Sequence, residues 1–247
     1  MNKLFFYLFI SLNFIFAFYK QDPIMIGTSG SYNTIARGYQ SVGINPANIA
    51  FDKGLSISLF NMNFNFNNNF LTDDRLDDIN GANLDDPNAD KYFPKEDIIG
   101  YLEGNPVIFS MMTSFALPSI NFSKDKFAIN SGVVYFSNLE LSPDILDMVL
   151  YGNQINSNGV GKEYDLSINK EDIVVFETSF TKAFNLDPIG IGFTIKYLKG
   201  LCYYNIKPIK DSYIQTNITG LGAQGQYLVN QHTKGSGLSL DFGITTM

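Results

Sequence analysis

Few residues in this chain have the types and spacing that chemistry demands. There is one cysteine, Cys202, and one histidine, His232. A thiol nucleophile needs a base beside it, and His232 sits in a polar run, Asn230-Gln231-His232-Thr233. A His/Cys zinc centre needs more such ligands than the chain owns, and a disulfide needs a second cysteine. The spacing Asp86-x-Asn88-x-Asp90 offers the first three ligand positions of a calcium loop. The pattern then departs, with Lys91 where the turn glycine belongs and Asp97 where a bidentate Glu is wanted. Asp86, Asn88 and Asp90 are therefore a weak calcium candidate inside what reads more plainly as a solvated acidic loop. No Ser/His/Asp set and no paired catalytic carboxylates can be assembled. Neither an enzymatic activity nor a cofactor is expected.

The elements that would position any site are strands. Asp172 to Lys199 reads as two of them, joined at Asn185-Leu186-Asp187-Pro188. In the second strand, Ile189, Ile191, Phe193, Ile195 and Tyr197 alternate with Gly190, Gly192, Thr194 and Lys196. In the first, Val174, Phe176, Phe180 and Phe184 alternate with Glu177, Ser179 and Thr181. Successive side chains of a strand point to opposite faces, so this hairpin has one greasy face and one small or polar face. Function turns on what covers the greasy face: a second sheet, a helix layer or lipid.

Composition sets bounds on the answer and, in its charge, is neutral on membranes. Charged residues are 17% of the chain, below the roughly 25% usual for soluble domains. Phe (22) and Tyr (14) are abundant. The net charge of -7 argues against a nucleic-acid partner, which would meet a basic face.

Residues 1–18 read as a secretory signal peptide, with Lys3 ahead of an apolar run from Leu4 to Phe16. The run is shorter than the ~20 residues of a spanning helix. Residues 19–50 are a small-residue segment containing Ala36-Arg37-Gly38-Tyr39 and Gly43-Ile44-Asn45-Pro46-Ala47-Asn48-Ile49-Ala50. Pro46 holds Asn45 out of the helical region, so the segment reads as a compact loop before the first strand.

Leu55 to Phe70 is the first strand. Leu55, Ile57 and Leu59 share a phase that switches at Phe60 to Met62, Phe64 and Phe66, which implies a bulge. Asn61, Asn63, Asn65 and Asn67 then face an interior. An acidic stretch, Leu71 to Asn105, carries a helix from Lys95 to Glu103 behind Pro94. Val107 to Phe122 and Lys126 to Phe136 form a second hairpin. Ser142-Pro143 starts a helix over Asp144 to Tyr151, stopped by Gly152, that would cover one mouth. Asn153 to Gly161 reads as a polar loop and Leu201 to Lys210 as irregular. Asp211 to Thr219 and Gln224 to Gln231 are weaker strands. In the last strand, Ser236 to Thr246, Leu238, Leu240, Phe242 and Ile244 alternate with Ser239, Asp241 and Gly243. That makes about nine strands, many near the roughly 9–11 residues of a tilted spanning strand, with Tyr135, Tyr197 and Tyr213 toward strand ends.

The Arg37-Gly38 and Asn45-Pro46-Ala47 segment, lying between a leader and a first strand, resembles the start of the FadL-like and PorV-like outer-membrane barrels. Gly235-Ser236-Gly237 followed by Leu240-Asp241-Phe242-Gly243 is similar to a strand of the PorV-like members. The resemblance implies that residues 19–50 are a lumen plug held by Arg37, Gly38, Asn45, Pro46 and Ala47. It also implies that residues 51–247 are the strands of an antiparallel barrel. The stretch lacks the acidic insertion of the fatty-acid transporters, which points away from fatty-acid transport more than from the fold. The expected fold is thus all-β: an antiparallel outer-membrane β-barrel, an incomplete N-terminal part of one, with a plug and two short loop helices. Asn61, Asn63, Asn65, Glu177 and Asp241 would face its lumen. The expected partners are the outer-membrane bilayer and a hydrophobic ligand or an exported protein. The expected function is passive uptake or carriage of hydrophobic molecules. An accessory barrel that anchors or shuttles exported proteins is the alternative, and a secreted soluble β-sandwich a second one.

Overall fold

Alternation of apolar and small residues becomes, among the described residues, ten strands in a single antiparallel sheet. The computed structural model describes residues 32–117, 120–217 and 220–246. The expected signal peptide and the first part of the plug segment lie outside them. The strands are β1 (Leu55–Ile57), β2 (Asn61–Asn68), β3 (Val107–Ala116), β4 (Phe122–Lys124), β5 (Phe127–Leu141), β6 (Val160–Asp165), β7 (Ile168–Leu186), β8 (Ile189–Asn217), β9 (Gly220–His232) and β10 (Gly235–Thr246). The sheet is mostly built of neighbours in sequence: β2 pairs β3, β3 pairs β5, β5 pairs β7, β7 pairs β8 and β8 pairs β10. β1 and β4 continue β2 and β3 toward the lower end of β5. No ladder joins β1 or β2 to β10 among the described residues, so the sheet has two open edges.

The phase switch in the first strand is real. Pairing stops at Ile57 and resumes at Asn61, and Leu55, Ile57, Leu59, Phe60, Met62, Phe64 and Phe66 all end on one exposed face. The expected strand from Val107 to Phe122 is interrupted after Ala116. There the Asn121 side chain stands in for the missing ladder: its amide donates to Leu117 O and Ser131 O at 2.6 and 3.0 Å, and its oxygen accepts from Ser131 N at 2.8 Å. Leu201 to Lys210 is not irregular but lies within β8, which runs 29 residues. A bulge at Leu201 and register shifts around Lys210 turn the side-chain phase over, and that hides the strand from an alternation reading. Val160–Asp165, expected as loop and unassigned chain, pairs with the upper part of β8. Tyr213 accordingly stands in a ribbon of β6, β8 and β9 rather than at a strand end.

Among the described residues four short helices accompany the sheet: α1 (Tyr32–Ile35), α2 (Asp73–Ile79), α3 (Lys95–Gly100) and α4 (Pro143–Tyr151). Two further 3-10 turns, Gly38–Ser41 and Pro46–Ala50, belong to the plug segment. The acidic stretch therefore holds an unexpected helix, α2, because Thr72 caps it through the Arg75 amide and Asp73 and Asp74 occupy its positive first turn. Ser142 caps α4, as its position before Pro143 suggests. α3 ends a turn earlier than expected, and the chain passes through Glu103 and Gly104 at positive φ.

α3 and α4 are tied by the Tyr151 hydroxyl, which donates to Glu96 Oε1 at 2.6 Å. That bond pushes the Tyr151 hydroxyl up to about 12 and holds the Glu96 carboxyl below its ordinary value. The contact is therefore whole between the ordinary Glu and Tyr values. It is lost as pH falls through the lowered Glu96 value or rises through about 12. NMR titration of labelled tyrosine should find Tyr151 near 12, and Glu96→Gln should return it toward 10. A wild-type Tyr151 titrating at 10 would contradict the contact.

Candidate functional site

The two faces of the sheet are opposites in chemistry. On β7 and β8 the register sets Thr181 against Thr194, Ser179 against Lys196 and Ala183 against Gly192 on the concave face. Thr181 and Thr194 are fully buried and share a hydroxyl hydrogen bond at 2.7 Å. On the other face Phe180 meets Ile195, Phe184 meets Ile191 and Leu186 meets Ile189. Phe180, Phe184, Leu186, Ile189, Phe193 and Ile195 are exposed, and on β10 Leu238 and Leu240 are 77% and 76% exposed. The same division runs through β2, where Asn63 is buried while Phe64 is 61% exposed. Aromatic contacts cross this outer face, Phe127 to Phe180 at 4.7 Å and Phe193 to Phe242 at 5.1 Å between ring centroids.

The concave face holds the expected plug segment, residues 36–51. Asn45 caps the turn Pro46–Ala50 by accepting from Ala47 N, and its amide donates to Ile244 O on β10 at 3.3 Å. Pro46 and Ala47 rest where β8 and β10 carry no side chain. A Cβ on Gly192 would lie 2.2 Å from the Pro46 carbonyl carbon, and one on Gly243 would lie 2.1 Å from Asn45 Oδ1. Val42, Ile49 and Ala50 pack with Ala128 and Ala183 from the sheet into a small core. Gly38, at φ 61, donates its amide to Asp52 Oδ2 at 2.6 Å, and a side chain there would strike Ser56. Arg37 donates to Thr34 O and Ala36 O and reaches Asp52 at 4.0 Å. Asn48, buried, ties Asn33 O to Ala36 O. Arg37, Gly38, Asn45, Pro46 and Ala47, the five residues expected to hold a plug, all fall in this segment. Arg37 and Gly38 shape its backbone, and Asn45, Pro46 and Ala47 make the contact with the sheet.

Above the plug the concave face leaves a cavity of about 380 Å³. Both edges of the sheet line it, Asn61 and Asn63 from β2 and Ser239 from β10, and Tyr39, Val42 and Gly43 of the plug form part of its wall. The sheet therefore curls around one interior although no ladder closes it. Met112, Val134, Phe136, Ile173, Val175 and Leu198 contribute to the apolar part of the wall. Glu177 lines the cavity; Asn65 lies on the same face of β2, opposite Met112, outside the lining set. Asp241 is engaged in an ion pair, 2.7 Å from the Lys196 ammonium, a contact of charge rather than a well-directed hydrogen bond. Lys196, Gly192 and Gly243 were legible only as small or polar positions, since nothing in their spacing names the plug as what they meet.

The remaining candidates do not converge on this interior. Asp86 accepts from Asn88 N in a local turn, and among the described residues no three acidic, His or Cys side chains gather as a metal site. Cys202 pairs with Val174 on the outer face, whereas His232 pairs with Tyr203, one residue on, and so lies on the other face. No protein-family model, curated protein or solved structure matches the chain.

Proposed function

We propose that this chain forms the wall of an outer-membrane β-barrel of FadL-like or PorV-like type, exported by its leader, whose plugged interior takes up or carries small hydrophobic molecules. One observation carries the reading: burial is inverted. The sheet hides Asn, Ser, Thr and Lys and shows Phe, Leu and Ile. Each such side chain left in water forgoes on the order of 1–2 kcal/mol. Summed over β2, β7, β8 and β10, the loss exceeds the roughly 5–15 kcal/mol that separates folded from unfolded chains. Acyl chains remove that cost. Ile189 to Tyr197 on β8 and Leu238 to Ile244 on β10 span about 20–27 Å at ~3.4 Å per residue, close to the ~25 Å apolar band of such barrels.

A polar belt supports an upper limit to the band. Tyr135 and Ser137 donate to Asp172 on the outer face at 3.2 and 2.6 Å, and Lys170 pairs with it at 2.9 Å. Tyrosines with polar tips suit the headgroup level. The long ribbon of β6, β8 and β9 favours the second reading, an accessory barrel that engages exported proteins, because it extends well past a spanning length. The described strands form one sheet, which favours a barrel wall over a soluble sandwich of two separate sheets.

Fractionation tests this. The full chain with its leader, expressed in a Gram-negative host, should pellet with outer membranes, resist carbonate and need detergent. Unheated samples should migrate faster on gels than boiled ones. Release into buffer with no heat-dependent shift would overturn the proposal.

A further inference from the structure

We propose that the 380 Å³ cavity is selective for apolar molecules that carry a protonated amine, not for carboxylates. This deepens the uptake reading and rests on it for its biological setting. The argument is an inventory of charge and hydrogen bonds along the wall. The cation there is already neutralised: Lys196 is 7% exposed and faces Asp241 at 2.7 Å. Asn63 spends its amide on Ser114 Oγ at 3.2 Å, and Asn130 spends its amide on Tyr39 O at 3.2 Å, leaving Asn130 Oδ1 without a partner.

Glu177 is the opposite case. It stands on β7 between Gly132 of β5 and Leu198 of β8, all three on the cavity wall. The Ser131 hydroxyl bonds to its main-chain oxygen, and no described residue pairs with its carboxylate. Gly132 brings no side chain alongside it. The interior therefore presents a half-buried, unpaired carboxylate next to an apolar wall of Val134, Phe136, Ile173 and Val175. A carboxylate in such a setting gains most from a cationic donor, because charge-assisted bonds strengthen as water is excluded. An anionic head would meet Glu177 as a like charge, with Lys196 already engaged. The volume, within the ~300–1,000 Å³ of small-molecule sites, suits a short arylalkyl or alkyl amine.

The test uses two probes of one skeleton, 4-phenylbutylamine and 4-phenylbutyrate, below any micellar concentration. Each is titrated by calorimetry into the full chain in detergent or, if it is soluble, in buffer. The amine should bind about tenfold or more tighter than the acid, and Glu177→Gln should abolish that preference. Val175→Phe, which fills the wall without touching charge, should weaken both probes. Acid binding as tight as amine binding, a preference that survives Glu177→Gln, binding untouched by Val175→Phe, or no binding of either probe would each overturn the inference. Buffer solubility with amine selectivity intact would instead remove the membrane proposal and leave this one standing.

Discussion

Replacing Gly192 by alanine should destabilise the protein by about 3 kcal/mol, the upper range for overpacking. The new Cβ would lie 2.2 Å from the Pro46 carbonyl carbon and 2.4 Å from Ala47 N, where ordinary contact begins at 3.4 Å. Both neighbours are backbone, so no side chain can rotate away. Either the plug lifts off β8 or the strand bows, and Asn45 loses its bond to Ile244 O in the first case. Gly200 on the same strand is the control, because its Cβ would sit 3.6 Å or more from every neighbour. Alanine there should be neutral or stabilising by up to about 1 kcal/mol, through the unfolded chain. Urea midpoints in detergent give the two values. Limited trypsin digestion locates the damage, since a lifted plug exposes the bonds after Arg37 and Lys53. Equal stability of the two variants would mean that the plug does not seat on Gly192.

Leu240→Arg should separate lipid from water most sharply. Leu240 lies midway along the apolar run of β10, opposite Ile195, and is 76% exposed. In the proposed bilayer setting, arginine at that depth costs about 2–4 kcal/mol. Folding into phospholipid vesicles should then fall by roughly 30-fold to a thousandfold. For a water-soluble protein the same change at an exposed site shifts stability by no more than about 0.5 kcal/mol. Ser239→Asn, one residue away on the concave face, should be tolerated in either case. A Leu240→Arg variant that folds into vesicles as well as the parent would remove lipid from the outer face.

How far the sequence can be read depends on how local the signal is. The hairpin of β7 and β8, the phase switch at Leu59-Phe60 and the Ser142-Pro143 start of α4 were legible because each is set by neighbours in the chain. The split of the expected strand at Asn121 was not, because the side chain that bridges it reaches Ser131, which lies beyond the intervening turn. Nor was the full reach of β8, since a bulge at Leu201 reverses which side chains face in. The Asn45-Pro46-Ala47 turn was legible as a turn, because Asn45 and Pro46 fix it locally.

What the sequence determined alone was a division of faces: period-two alternation requires one oily and one small or polar side wherever the chain is extended. It could not determine which side turns inward, since alternation is symmetric and a soluble sandwich would bury the oil. Tertiary structure decided that. The curl of the sheet brought Gly192, Gly243 and the Thr181–Thr194 pair around residues 36–51, and only side chains that small leave room for a backbone segment inside.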